Sequence, residues 1–360
     1  MKMDLRRASF RRVVAILATL LLCFVMLEAG LRILGRMPSN MADGIYAQDG
    51  DSFRLKADSK KSINFPAFSY TVYTNEYGFR DRASGPRPLA GQDVIAFLGA
   101  SDVFGNGVNY EDSFVGIFSE RARQRHYEVL NLAVGGHYFL DQEDLLDRFI
   151  RTTGQKPARI AYCVNELHIP KFDKRNTNIL VRSGYVFNRS TWRAAYVRLM
   201  IGNLSSAYCF FRDAARRIQE RWLKYELNEK SPEFLQIYAK TSRMHDPETV
   251  RQFEESLDAF GRYCREKGMD LVYVYIPISD SFRLDKIVRQ IGKDPDDYDA
   301  SYYEKMMQTY CEKRGLSLVD LRPVLQRAFD DGKELRFKLD PHYNLVGNRV
   351  IGEHLAESLF

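Results

Sequence analysis

One serine of this sequence stands where a nucleophile could project from an α/β fold. Ser101 directly follows the apolar run 94–99 and lies in the segment 99–108 (GASDVFGNGV). A serine in the turn between a buried strand and a helix can present its hydroxyl as a nucleophile, and flanking glycines allow the backbone to approach closely. Small residues also follow strands in α/β proteins that have no site there, so Ser101 needs partners.

Candidate partners follow other apolar runs farther along the chain. Gly135 and Gly136 come after the run 128–133, and backbone N–H groups at such glycines can bind an oxyanion. Asn165 comes after the run 158–164, and its side-chain amide is a donor of the same kind. His137 and His168 each follow one of these positions within three residues, which is close enough to line a shared pocket.

An Asp-x-His motif, Asp340 and His342, lies near the C-terminus before a final predicted helix. An aspartate two residues from a histidine can orient the imidazole, which can then take a proton from a serine hydroxyl. Taken alone, Asp340 also fits a turn or an N-cap, and His342 fits a hydrogen-bonded surface histidine. Because serine, glycine, asparagine and Asp-x-His occur in this order at successive strand ends, we interpret them as one site.

The elements that must bring these residues together have the pattern of an α/β domain. Apolar runs typical of strands buried on both faces of a parallel sheet lie at 94–99, 128–133, 158–164, 270–276 and 316–320. Helical patterns lie at 110–125, 140–153, 247–267 and 345–359. Ligands in open α/β sheets bind at the carboxyl ends of the strands, so this alternation predicts that the candidate residues converge there.

The N-terminus contains a candidate membrane segment. Residues 13–27 carry no charge, and the apolar stretch continues to Leu31 with Glu28 near its end. The basic residues before it are Lys2, Arg6, Arg7, Arg11 and Arg12. Such residues mark the cytoplasmic side, so we expect a cytoplasmic N-terminus and a periplasmic or cell-surface body. An uncleaved anchor is favoured over a cleaved signal peptide because the sequence around Glu28 (LEA) is a poor cleavage site.

Length and composition exclude several classes of protein. The 360 residues are 45% hydrophobic and 28% charged, which is typical of a globular chain that needs no disulfide or structural metal for its core. The net charge of +6 arises in part from the N-terminal basic residues, and no basic stripe marks a nucleic-acid partner. No Cys-x-x-Cys pair or Cys/His cluster occurs, so we expect neither a metal nor another cofactor.

The chain divides into three predicted parts. Residues 1–35 form the anchor, the polar, proline-containing stretch 36–90 forms an irregular stalk and lead-in, and 91–360 form the α/β domain. Within that domain, the strand–helix alternation is interrupted at residues 170–245. This segment is rich in Arg, Tyr and Phe, and its pattern predicts a helical insertion. We expect an inserted helical subdomain that packs on the sheet; a substrate lid or a membrane-facing surface is the alternative.

The candidate residues fall in blocks that resemble those of the SGNH/GDSL hydrolases, a family named for Ser, Gly, Asn and His in four sequence blocks. The resemblance covers about 72–175 and 265–360, and its lead-in 74–81 (TNEYGFRD) is similar to that of anchored bacterial members. The blocks are 99–101 (GAS), 131–136 (NLAVGG), 163–166 (CVNE) and 340–342 (DPH), followed by Asn344 and Gly347. Ala100 and Glu166 replace the family's Asp, and Cys163 replaces its Gly.

The resemblance implies a three-layer, flavodoxin-like α/β fold with a parallel five-stranded sheet, and ester or acyl chemistry. It implies Ser101 as the nucleophile, His342 as the base and Asp340 as the residue that orients the base. The oxyanion hole would consist of the Ser101 and Gly136 backbone N–H groups and the Asn165 side-chain amide.

Three functions are compatible with these features. The first is a serine esterase that removes O-acyl groups from an extracytoplasmic glycan or a small ester. The second is an O-acyltransferase that uses the same triad in exopolysaccharide modification. The third is a non-catalytic, membrane-tethered protein of polysaccharide assembly.

Overall fold

The computed structural model describes residues 2–36, 44–64, 68–82, 93–167, 172–223, 232–337 and 340–360. The strands are β1 (Tyr46–Asp49), β2 (Ser52–Leu55), β3 (Lys60–Asn64), β4 (Ser69–Thr74), β5 (Arg80–Asp81), β6 (Asp93–Leu98), β7 (Tyr127–Asn131), β8 (Arg159–Val164), β9 (Ile179–Arg182), β10 (Tyr185–Asn188), β11 (Asp270–Tyr275), β12 (Ser317–Asp320), β13 (Arg336–Phe337) and β14 (Asp340–Tyr343). The helices are α1 (Lys2–Ile33), α2 (Ser101–Phe104), α3 (Phe114–Arg123), α4 (Phe139–Thr153), α5 (Trp192–Leu204), α6 (Ser206–Leu223), α7 (Pro232–Tyr238), α8 (Pro247–Lys267), α9 (Leu284–Gln290), α10 (Tyr302–Arg314), α11 (Arg322–Asp330) and α12 (Leu345–Ser358).

These elements separate into two units. The helical unit consists of Met1–Ala42 and Thr191–Lys224, and the sheet unit consists of Asp43–Ser190 and Tyr225–Phe360. The helices of 191–223 therefore group with the N-terminal helix, rather than forming an insertion that belongs to the sheet. The rest of the predicted insertion includes an antiparallel hairpin, β9–β10, which the helical interpretation of 170–245 missed.

The sheet unit contains the predicted five parallel strands, in the spatial order β7-β6-β8-β11-β12. Numbered along the chain this is 2-1-3-4-5, the order of flavodoxin-like folds, in which ligands bind where the winding direction reverses. That point lies between β6 and β8. The expected three-layer, flavodoxin-like α/β fold is confirmed, and the sheet is longer than predicted because three antiparallel strands extend it beyond β7.

Helices cover both faces of the parallel strands. With right-handed crossovers, the connection from β6 to β7 lies on one face and the later connections lie on the other. The aromatic core follows this division: Phe97 of β6 contacts Phe118 of α3, whereas Tyr162 of β8 contacts Phe139 of α4 and Phe260 of α8. The core thus fixes β6 and β8 side by side, with their carboxyl ends at the same edge.

The stretch 36–90, predicted as irregular, contains five strands in its described parts. Strand β4 alternates exposed and buried side chains, with Tyr70 and Val72 in the core, which is the pattern of a half-buried antiparallel strand. The four prolines that suggested an irregular chain, Pro38, Pro66, Pro86 and Pro88, all lie outside the described residues. The lead-in is thus part of the sheet unit rather than a separate stalk.

The helical unit contains α1, α5 and α6. Among the described residues, Phe10–Ile33 of α1 is the one segment that is long and apolar enough to cross a membrane, as either an anchor or a signal sequence would. Glu28 near the end of this segment accepts hydrogen bonds from the backbone N–H groups of Ser206 and Ala207 at the start of α6, both at 2.9 Å.

Candidate active site

Ser101 is the first residue of the short helix α2, directly after β6. The chain turns back so closely here that a Cβ on Gly99 would lie 2.1 Å from the Val103 Cγ2 atom, so the position requires glycine. Ala100 is the N-cap residue of α2 and offers no side-chain acceptor, and the acidic residue of the first turn is Asp102. The turn presents the Ser101 side chain, which is partly exposed, at the carboxyl edge of the sheet.

The loop after α2 is held by Arg80 of the lead-in. The Arg80 guanidinium is fully buried and donates to the backbone carbonyls of Phe104, Gly105 and Val108, with 2.6 Å between Nη1 and the Gly105 oxygen. It also stacks over the Phe104 ring at 4.7 Å from the centroid. Because one rigid, multidentate cation joins three carbonyls, β5 fixes the path of the chain that carries the candidate nucleophile.

His342 and Asp340 lie on β14, and the two side chains are hydrogen bonded through His342 Nδ1. The Asp340 carboxylate also accepts a hydrogen bond from the His342 backbone N–H at 3.0 Å. This second bond holds the carboxylate beside the backbone of its own strand. With Nδ1 engaged by Asp340, Nε2 is left as the nitrogen that can accept a proton. The Asn106 amide nitrogen lies 3.2 Å from the same Nδ1, and its oxygen accepts from the Tyr70 hydroxyl at 2.6 Å.

The candidate oxyanion donors come from the loops after β7 and β8. Gly136 has a φ of +87°, a conformation that L side chains rarely adopt, and its carbonyl accepts from Asn176 at 2.8 Å. Within the described part of the chain, the backbone N–H groups of Ser101 and Gly136 donate to no protein acceptor. Asn165 is buried, and its amide nitrogen lies 3.4 Å from an Asp102 carboxylate oxygen.

The predicted residues meet at one cavity of about 170 Å³ in the sheet unit. Ser101, Gly136, Asn165 and His342 all line it, and Asp340 reaches it through its hydrogen bond with His342. His137 lines it as well, and its Nε2 donates to the Phe53 carbonyl at 2.7 Å. His168, the other histidine expected near the pocket, lies outside the described residues.

The electrostatics of the cavity favour a charged imidazole. Burial of the His342 ring lowers its pKa, but the hydrogen bond with Asp340 and the negative charges of Asp102 and Asp340 outweigh it, so the pKa lies above its usual value. Burial raises the pKa of the Asp102 carboxyl more than the His342 charge lowers it. An imidazole stabilised in this way can hold the proton that leaves a serine hydroxyl.

Glu166, one of the three departures from the family pattern, is a fully buried acceptor. Its carboxylate accepts from the hydroxyls of Tyr238 and Tyr275 at 3.1 and 2.9 Å and from the Ile278 backbone N–H at 2.9 Å. Burial raises the pKa of the Glu166 carboxyl, and the Arg322 guanidinium, 3.6 Å away, offsets this only in part. The Glu166 side chain thus connects the loop after β8 to α7, to β11 and to the loop after β11.

Three residues near the cavity were not assigned roles from the sequence. Asp102 and Asn106 stand in the quoted segment 99–108, and Arg80 stands in the quoted lead-in. The available signals were a carboxylate next to the serine, an asparagine between two glycines and an arginine beside an aspartate at the end of the lead-in. None of these signals identifies a partner, because the atoms each residue contacts come from distant parts of the chain.

Comparisons with known proteins agree with this architecture. Residues 237–359 match the family model described as "SGNH hydrolase-like domain, acetyltransferase AlgX", a range that includes Asp340 and His342 but not Ser101. No curated protein matches the chain.

Solved structures with similarity to the chain include three esterase-like proteins. A putative lipolytic protein of the G-D-S-L family from Desulfitobacterium hafniense is 13% identical, with 74% of this chain and 99% of that chain covered and a TM-score of 0.39. The acetyl xylan esterase AlAXEase is 11% identical, with 74% and 100% covered and a TM-score of 0.41. A catalytic mutant of the acetylxylan esterase Axe2 from Geobacillus stearothermophilus is 10% identical, with 76% and 96% covered and a TM-score of 0.38.

The strand order is that of flavodoxin-like folds, and residues 237–359 match the model of an SGNH hydrolase-like domain. The resemblance inferred from its sequence blocks is therefore confirmed. The description of that model names an acetyltransferase, which agrees with the ester or acyl chemistry that the sequence blocks imply. The roles of the individual site residues are predictions and belong to the proposal below.

Proposed function

We propose that this protein is a serine esterase of the SGNH type that acts on O-acyl groups of an extracytoplasmic glycan. The observation that carries the proposal is that Ser101 and the Asp340-bonded His342 line the same cavity, together with Gly136 and Asn165. A serine, a base held by a carboxylate and convergent N–H donors are the groups that acyl transfer requires.

In the proposed reaction the Ser101 hydroxyl oxygen attacks the ester carbonyl carbon while His342 Nε2 takes the hydroxyl proton. The negative charge that develops on the carbonyl oxygen is stabilised by the Ser101 and Gly136 N–H groups and by the Asn165 amide. The bond from carbon to the alcohol oxygen then breaks, and the alcohol leaves with the proton from His342. Water attacks the acyl-serine by the same route, which releases the acid and restores the free serine.

The direct test is to label the protein with a fluorophosphonate and to assay p-nitrophenyl acetate hydrolysis. We expect Ser101→Ala to abolish labelling and to lower kcat by about 10³-fold or more, as loss of a triad member does. Ser256→Ala is the matched control, because Ser256 is a partly exposed residue of α8 whose hydroxyl donates to the Gln252 carbonyl of the same helix. Labelling that survives in Ser101→Ala contradicts the proposed mechanism, and wild-type protein that is never labelled indicates a non-catalytic member.

The extracytoplasmic location rests on the apolar helix α1 and the basic residues that precede it, whereas the glycan rests on analogy with the family alone. In this proposal α1 is an uncleaved anchor with its N-terminus in the cytoplasm. Alkaline phosphatase and green fluorescent protein fused separately at the C-terminus test this topology. Active phosphatase with a dark fluorescent protein supports export, whereas the reverse result removes the extracytoplasmic glycan as substrate.

An O-acyltransferase is the second candidate, and the family model that matches 237–359 supports it because its description names an acetyltransferase. Both reactions share the acyl-serine and differ in whether water or a sugar hydroxyl takes the acyl group. Adding polysaccharide or oligosaccharide acceptors to the acyl-donor assay distinguishes them. Acylated sugar that rises while free acid falls indicates transfer, whereas acid release that is unaffected by acceptor indicates hydrolysis.

A further inference from the structure

The helical unit carries apolar side chains on the outside of two of its helices. Val197, Ile201 and Leu204 of α5 follow each other at spacings of four and three residues and are 57%, 42% and 72% exposed. Phe211 and Ile218 of α6, seven residues apart, are also exposed. A stripe with this spacing normally faces the core of a water-soluble protein. Here the stripes face outward, and within the described part of the chain nothing covers their apolar side chains.

Among the side chains of α5 and α6 that the structure describes, the buried ones are small. Gly202, Ser206, Ala207 and Cys209 are all buried, and the Cys209 thiol contacts the Gly202 carbonyl at 3.1 Å. Small residues let helix backbones approach closely and are typical of helix contacts in membranes, where large apolar side chains face lipid. Helices α5 and α6 thus carry large apolar side chains on the outside and small residues on the inside, as helices in a membrane do.

Hydrogen bonds fix these helices to the end of the apolar segment of α1. Glu28 caps the start of α6 through the N–H groups of Ser206 and Ala207, and it accepts from the Ser205 hydroxyl at 3.0 Å. Arg32 of α1 donates to the Leu204 carbonyl at 2.7 Å. Glu28 precedes the end of the segment, Ile33, by five residues, or about 8 Å of helix. The junction of α5 and α6 therefore lies where α1 leaves the apolar layer.

Length and composition also match an interfacial position. Helix α5 has 13 residues, about 20 Å, which is too short to cross a bilayer and typical of an interfacial segment. Residues 191–223 contain six arginines and two acidic residues, and both tryptophans of the chain, Trp192 and Trp222. Tryptophan is enriched at both membrane interfaces, and an arginine on an interfacial helix can lay its apolar stem along lipid while its charge stays in water.

We infer that α5 and α6 lie in the surface layer of the membrane that α1 enters, with Val197, Ile201, Leu204, Phe211 and Ile218 among the lipids. The occupant of this apolar face is an anionic phospholipid bilayer, because the face is continuous with a helix of membrane-spanning length. The inference rests on α1 as a membrane anchor and is independent of the reaction at Ser101.

The two tryptophans make the inference testable without a label. Full-length Trp222→Phe, whose emission comes from Trp192 alone, is reconstituted in vesicles of phosphatidylcholine and phosphatidylglycerol with either plain or dibrominated acyl chains. Bromine quenches tryptophan on contact, so we expect about a twofold loss of emission in the brominated vesicles if the ring sits at the interface. The double variant Ile201→Asn/Leu204→Asn should lose most of this quenching, whereas Leu345→Asn, an exposed leucine of the sheet unit, should leave it unchanged.

Carbonate extraction of the same vesicles separates the two ways in which the inference can fail. Protein that stays in the membrane but shows equal emission in plain and brominated vesicles overturns the lipid contact and indicates that another protein covers the face. Protein that carbonate removes overturns the anchor and, with it, the inference. Neither result depends on esterase activity, so the proposed reaction is tested separately.

Discussion

The Glu166 carboxylate accepts a hydrogen bond from the Ile278 backbone N–H at 2.9 Å, which joins the loop after β8 to the loop after β11. Asn165 directly precedes Glu166, and Ser279, which follows Ile278, donates to the Pro341 carbonyl at 2.8 Å. The contact therefore links a candidate oxyanion donor to the strand that carries the candidate base. Its position explains why a substitution in the family's third block can affect the geometry of the fourth.

We expect Glu166→Gln to lower the free energy of unfolding by about 1–3 kcal/mol, because it replaces one acceptor oxygen with an NH₂ donor in a buried site where three donors converge. Esterase activity should fall as well, through kcat rather than KM, since the loops that carry Asn165 and His342 lose a shared support. Denaturant unfolding followed by circular dichroism, together with steady-state kinetics, measures both effects. Tyr238→Phe removes one donor but keeps the Ile278 contact, so an equal loss of activity in that variant contradicts this explanation.

Asp340→Asn should lower kcat by about 10²–10⁴-fold with little effect on the fold. An asparagine can still accept from the His342 backbone N–H, but its NH₂ group favours the tautomer with the proton on Nε2, which cannot take a proton from Ser101. The comparison is Asp331→Asn, which changes an exposed aspartate at the end of α11. Wild-type kcat in Asp340→Asn shows that this carboxylate does not orient the base.

The pH dependence of kcat/KM should report the raised pKa of His342. The base must be neutral to accept a proton, so activity is lost as pH falls through this pKa, at a midpoint above the ordinary histidine value of about 6.5. The Asp102 charge raises this pKa, so Asp102→Asn should move the midpoint to lower pH. A rate profile measured in both proteins checks the sign, and an unchanged or higher midpoint in Asp102→Asn refutes the assignment.

Arg80→Lys should lower stability by about 3 kcal/mol and kcat by one to two orders of magnitude, because a lysine cannot reach three carbonyls at once and leaves buried acceptors unpaired. Arg121→Lys provides the matched control, since Arg121 is exposed on α3. If Arg80→Lys unfolds at the wild-type denaturant concentration and keeps full activity, the loop after α2 does not depend on this guanidinium.

The fold class and the candidate site were accessible from the sequence because both are encoded locally. Continuous apolar runs predicted the five parallel strands within one or two residues, and the helical pattern at 247–267 matches α8 (Pro247–Lys267). The candidate residues come directly after those strands or in the C-terminal Asp-x-His motif. Once the strands are parallel and neighbouring, their carboxyl ends meet at one edge, so the convergence of Ser101 and Asn165 follows from the strand order.

Only the tertiary structure decided which residues support this site and where the insertion belongs. Arg80 contacts Val108, Glu166 contacts Ile278, and Glu28 contacts Ser206 across separations of 28, 112 and 178 residues. Hydrophobic periodicity records whether a side chain is buried but not which distant atom it meets. The strands of the lead-in were missed for the same reason, since β3–β5 pair with each other and with β7 through backbone hydrogen bonds that side-chain pattern alone does not specify.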